Sequence, residues 1–124
     1  MKIFIAGSRK FHNEIQNMCK ELNKKGIKAS TAGEWNPKEK DTFQSEKKAL
    51  LKAFNKIDNS NIVYIYAKDG YVGKTVAMEI AYAYAKNKRI ISSEEIKEFS
   101  AKALISKAQS HDKLIKNFNI KADF

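Results

Sequence analysis

Four short apolar runs constrain this 124-residue chain more than any other feature: KIFIAG at 2–7, IKAST at 27–31, NIVYIYA at 61–67 and RIIS at 89–92. Each is too short for a helix, and the third is rich in the β-branched and aromatic residues that suit a pleated strand. A short apolar run closed by a glycine, as in KIFIAG, fits a strand covered on both faces of a parallel sheet. Parallel strands need crossovers, and helical periodicity fills the gaps between the runs. Ile15, Met18, Cys19 and Leu22 fall on one helical stripe that stops near Gly26. Leu50, Ala53, Phe54 and Ile57 form the inner face of a second helix running to about Asn59, and residues 74–87 form a third. Strands alternating with helices at this spacing predict right-handed βαβ units. The expected fold is a small doubly wound Rossmann- or flavodoxin-like α/β domain, with four to five parallel strands and helices on both faces.

Residues 32–41, with the only proline and the only tryptophan, read as the longest loop. Ser92 and Glu95 have the spacing of a capping box, which predicts a helix with Ile96, Phe99, Ala103 and Leu104 on its inner side. From Ser110 the chain is lysine-rich and reads as a short helix with a frayed end. One domain over 1–124 is therefore expected, with a core of about 2–106 and a tail at 107–124.

The net charge of +10 comes almost wholly from lysine, with Arg9 and Arg89 the only arginines. Bidentate readers of bases and phosphates rely on arginine, and glutamates are mixed among these lysines, so a solvated surface or an anion-attracting one is favoured over nucleic-acid binding. No apolar run approaches the ~20 residues needed to cross a bilayer, and the first residues read as a strand and turn where a signal peptide would carry a longer apolar stretch. One cysteine, Cys19, cannot close an internal disulfide and suits a reducing cytoplasm. Its place on the first helical stripe points to packing. His12 and His111 have no partners at metal or triad spacing and read as surface residues, so no metal and no cofactor is expected.

Chemistry is concentrated in DGYVGKTVAMEIAYAYA, residues 69–85. Gly73-Lys74-Thr75 looks like the end of a phosphate-binding P-loop, but that motif needs a glycine five positions earlier, where this chain has Lys68. Gly70 and Gly73 still leave loop N–H groups ahead of a helix, able to receive an anion or a sugar hydroxyl. The helix itself is apolar or tyrosine from Val76 to Ala85 except at Glu79. A helix apolar nearly all round is buried nearly all round, and a buried carboxylate costs several kcal/mol unless paired. Glu79 must face a cleft or anchor a neighbouring loop. In a parallel sheet, ligands bind beyond the carboxyl ends of the strands, where AGSRKF and AKDGYVGKT fall.

KIFIAGSRKF, IDNSNIVYIYA and GYVGKTVAMEIAYAYAKNKRII together resemble the nucleoside 2-deoxyribosyltransferase family, whose wider superfamily includes the deoxynucleoside 5′-monophosphate N-glycosidases. The similarity covers roughly residues 2–92, and its most specific element is Glu79-Ile80-Ala81-Tyr82-Ala83. The resemblance implies cleavage of the N-glycosidic bond of a 2′-deoxynucleoside or its 5′-monophosphate through a glycosyl-enzyme ester on Glu79. It also implies a homodimer or larger homo-oligomer, because sites of the family often borrow residues from a neighbouring subunit. Gly7, Ser8 and Arg9 match a glycine-serine start that contacts a 5′-phosphate. Asp69, Gly70, Tyr71, Gly73 and Thr75 lie on the loop and helix start expected to hold the sugar. Tyr71 and Trp35 are candidates to stack on a base. The chain departs from the family at Ala53, which replaces an aspartate that handles the leaving base, and at Gly73, Ala81 and Asn61; Asp58 and Asp69 are the nearby acids that can take over such roles, Asp58 as a catalytic residue. Those departures leave a second reading in play, a module of the same fold that binds a nucleotide without turning it over.

Overall fold

The computed structural model describes residues 1–33 and 36–122, with side chains through Phe118, and it bears out the parallel α/β architecture. Strands β1 (Lys2–Gly7), β2 (Lys28–Thr31), β3 (Ile62–Tyr66), β4 (Arg89–Ser92) and β5 (Lys107–Ala108) form one all-parallel sheet in the order β2-β1-β3-β4-β5. The chain winds outward one way through β2 and the other way from β3 onward, so the reversal lies between β1 and β3. Ligands of such sheets sit at that reversal, beyond the carboxyl ends of the strands.

Strand alternation divides the core in two. Phe4, Ala6, Val63, Ile65 and Ile90 point to one face, under helices α2 (Phe43–Asp58), α3 (Lys74–Ala85) and α4 (Phe99–Ala103). Ile3, Ile5, Ile62, Tyr64 and Ile91 point to the other, under α1 (His12–Lys24) and α5 (His111–Ala122). Full burial of each large apolar side chain stabilises the fold by about 1.5–3 kcal/mol. Tyr64 is wholly buried, and its phenol finds a partner by donating to the Gln109 carbonyl at 2.7 Å. Burial pushes that phenol well above its ordinary value.

Two expectations are corrected after β4. Ser92 does not cap a helix: it ends β4, and the following Ser93 N–H bonds to the Ile65 carbonyl, prolonging the strand path. Ile96 is buried and the Lys97 N–H is taken by the Gly70 carbonyl, which holds this segment outside helical geometry. The helix begins only at Phe99, capped by the Glu98 carboxylate accepting from the Ala101 N–H. Phe99 is 86% exposed and Ala103 is exposed, while Ala101 turns inward. The second correction concerns the tail. Residues 107–108 add a fifth strand and α5 buries Leu114 and Ile115 against the sheet, so the boundary near residue 106 does not hold. Cys19 is half-buried beside the Ala29 carbonyl, as packing requires.

The outer edge of β2 is closed by side chains. The Asn23 amide donates to the Ala29 carbonyl at 3.0 Å and accepts from the Ala29 N–H at 3.1 Å, as a neighbouring strand would. Lys56 takes the Thr31 carbonyl. Unpaired edge groups are a template for a second chain, and occupying them blocks it. Asn23→Ala is expected to cost about 1–2 kcal/mol and to promote association at high concentration. Urea midpoints and light scattering measure both, and a variant as stable and as monodisperse as the parent contradicts the edge role. Among the described residues no helix is long and apolar enough to cross a membrane.

Candidate active site

Glu79 lies on the sheet-facing side of α3 and is only 7% exposed. It is not sealed in. A cleft of about 480 Å³ opens in front of it, bounded by the end of β1, by α1, by the β2–α2 loop and by the first half of α2. A second lobe of about 220 Å³ runs from Glu79 toward Gly73, Lys74 and Thr75 at the start of α3. Glu79, Gly7, Ser8 and Arg9 border both lobes. The carboxylate therefore stands where the two lobes meet.

No hydrogen bond from a described residue reaches the Glu79 carboxylate. Burial pushes its carboxyl up to about 7; Arg9 works against that shift and Glu46 adds to it. The Arg9 guanidinium is already shared, at 3.3 Å from Asp41 and 3.1 Å from Glu46. This clamp ties the β1 turn to the β2–α2 loop and to α2. A buried carboxylate that accepts no hydrogen bond from the described residues and has an elevated proton affinity is suited to attack, or to stabilise a cation placed against it.

The first turn of α3 supplies the complementary donors. Gly73 caps it without a side-chain hydrogen bond, and the N–H groups of a first turn have no partner within their helix. Gly73, Lys74, Thr75 and Val76 line the smaller lobe together with Ser8, which makes this helix start a place for a hydroxyl or an anion. Among the described residues a Cβ at Gly73 would meet only the Tyr71 hydroxyl, at 3.8 Å. The missing side chain there leaves space, not a strained turn.

Of the expected residues, Gly7, Ser8, Arg9, Gly73, Thr75 and Glu79 all line the smaller lobe. Four expected residues do not. Asp58 sits at the far end of α2, with the Tyr82 hydroxyl donating to both its oxygens at 2.8 and 2.9 Å, away from either lobe. Asp69 has a positive φ of 57° and its N–H bonds to the Glu94 carboxylate. Gly70 is buried beneath the 95–97 segment; a Cβ there would lie 2.6 Å from the Glu95 carbonyl, so this glycine is structural. Tyr71 is covered by the Lys10 ammonium, 3.6 Å from its ring centre, which occupies a face that a base would need. Trp35 falls outside the described residues.

Residues that sequence reasoning passed over also line the larger lobe. His12 is half-buried there, contrary to a surface position, and Lys48 and Lys52 project into it from α2. In a helix with so many lysines nothing singles these two out until the fold turns one face toward Glu79. His111, also half-buried, is paired at 3.2 Å with Glu21 across the α1–α5 junction.

No family model matches the chain, and no curated protein matches it in sequence. Solved structures do share its fold. The 2-deoxyribosyltransferase of Bacillus psychrosaccharolyticus superposes with a TM-score of 0.70 at 15% identity, over 93% of this chain and 90% of that one. A conserved protein of Enterococcus faecalis V583 gives a TM-score of 0.66 at 14% identity, covering 98% of each chain. The CMP N-glycosidase of Clostridium botulinum gives 0.62 at 14% identity, over 98% of this chain and 99% of the other.

Proposed function

We propose that this protein is a nucleoside 2-deoxyribosyltransferase-like enzyme that cleaves or exchanges the N-glycosidic bond of a 2′-deoxynucleoside or its 5′-monophosphate, with Glu79 as the nucleophile. The observation that carries the reading is a buried carboxylate, free of hydrogen bonds from described residues, at the meeting point of two open lobes. Enzymes that act on an N-glycosidic bond occur among the structures of this fold, which supports the same class of reaction here.

The sugar is placed against Glu79, the base in the larger lobe and the 5′ end in the smaller one, at the start of α3. As the base departs, positive charge develops at the anomeric carbon, and the Glu79 carboxylate stabilises it first by charge and then by a covalent bond. The low-dielectric surroundings that make the bare carboxylate costly strengthen its attraction to that cation. Water or a second base then takes the sugar. Helix N–H groups with Ser8 and Thr75 receive a 5′-hydroxyl or 5′-phosphate, because Arg9 is committed to Asp41 and Glu46. Association into a homo-oligomer belongs to the same reading; exposed Leu51 on α2 and Met78 and Tyr84 on α3 offer apolar surface for it.

The test is incubation with each 2′-deoxynucleoside and each 5′-monophosphate, alone and with a second free base, followed by chromatography of the released base. Release from at least one substrate is expected. A panel that releases nothing rejects the enzymatic reading, and a ligand-dependent rise in melting temperature in that same panel supports the second one, a nucleotide-binding module. That alternative is favoured by one fact: Asp58, the acid expected to assist, stands outside the cleft.

A further inference from the structure

Departure of a nucleobase leaves an electron pair on a ring nitrogen, and something must take up that charge. On the family pattern an aspartate at position 53 handles the base, but Ala53 is buried and apolar. One residue earlier, α2 turns a different face to the cleft: Ser45, Lys48, Ala49 and Lys52 line the larger lobe at helical spacing. The next lysine on that face, Lys56, is held by the Thr31 carbonyl, and Arg9 is held by Asp41 and Glu46. Lys52 has no such partner among the described residues. Its ammonium overhangs Gly33, 3.0 Å from where a Cβ of that residue would sit, and among the described residues no carboxylate or carbonyl takes its hydrogens. It shares the lobe with Glu79.

We infer that Lys52 is the catalytic residue that receives the departing base, donating a hydrogen bond and then a proton to the leaving nitrogen or to a carbonyl conjugated with it. The inference rests on the proposed N-glycosidic reaction. A Glu79 oxygen bonds to the anomeric carbon as the carbon–nitrogen bond breaks. The electron pair of that bond passes to the base, and the Lys52 ammonium neutralises it, becoming an amine. When water later attacks the anomeric carbon, Glu79 leaves as a carboxylate and the surplus proton of the water restores the ammonium. In exchange, the N–H proton of the incoming base does so. An ammonium offers donors only, so the lobe favours bases that turn carbonyls or unprotonated ring nitrogens toward α2.

Lys52→Met, an exposed position on a helix, is compared with wild type on two substrates. One is the natural substrate that releases base fastest. The other is its activated analogue, 7-methylated for a purine or 5-fluorinated for a pyrimidine, whose base needs less protonation to leave. The expected result is a loss of roughly 10²-fold in kcat on the natural substrate, the usual size of a general-acid contribution, and a much smaller loss on the analogue. Equal losses on both substrates, or no loss, overturn the role of Lys52 while leaving the enzyme reading intact. Failure of wild type to release base from either substrate removes the N-glycosidic reading itself.

Discussion

Glu79→Gln abolishes base release and at the same time makes the protein more stable at alkaline pH. The amide cannot form the glycosyl ester, so a loss of roughly 10³-fold or more in kcat is expected. The stability gain has an independent origin. Burial lifts the Glu79 carboxyl from an ordinary 4.5 to about 7. The folded state therefore holds its proton more tightly than the unfolded chain does. Below pH 4.5 both states are neutral at this site and the two proteins match; between 4.5 and 7 wild type loses stability as pH rises; above 7 the whole penalty, about 3 kcal/mol, is present. The variant carries none of it. Melting temperatures at pH 4 and pH 8 check this: the two proteins should nearly coincide at the lower pH, and the variant should melt several degrees higher at the upper. For wild type, kcat/KM should climb with pH through about 7, as the nucleophile of the free enzyme ionises. A variant that keeps its activity, or that is less stable at pH 8, would contradict the role given to this carboxylate.

Removal of residues 110–124 is expected to unfold the protein. Leu114 and Ile115 are 2% and 4% exposed and close the sheet face formed by Ile3, Ile5, Tyr64 and Ile91, and the Tyr64 hydroxyl depends on the Gln109 carbonyl just before the cut. Burial of two such side chains contributes about 3–6 kcal/mol, and the bared sheet face adds to the loss. Small domains have only about 5–15 kcal/mol in hand. Circular dichroism and a denaturant titration of the truncated protein decide the matter. A cooperative transition at the parent's midpoint would mean that α5 is the dispensable tail its lysine content suggests.

Lysine content is also why the packing of α5 on the sheet was hard to read, although the helix itself was legible. Leu114, Ile115 and Phe118 lie at helical spacing, but they are few, and the charged residues between them set the local character. The strands β1, β3 and β4 were legible because a strand covered on both faces carries almost no polar residue. Glu79 was legible for a related reason: one acid in a helix with no polar face has few explanations. Ser92 and Glu95 mislead because their spacing satisfies a local rule that a tertiary contact overrides, the bond from the Lys97 N–H to the Gly70 carbonyl. Asp58 misleads because distance along the chain hides direction. Helix α2 runs back against the strands, so its early residues reach the carboxyl end of the sheet and its last residues reach the opposite rim. By the same geometry Lys48 and Lys52 come to the cleft, although in sequence they are two lysines among twenty-four basic residues.

The side-chain closure of β2 bears on how copies of this protein can meet. With the Ala29 amide pair and the Thr31 carbonyl already engaged, the β2 border offers few groups to an incoming chain, and the other border is a strand of only two residues. Contacts between copies are then expected through helix surfaces and loops. Fibrillar stacking would first require the Asn23 latch to come undone.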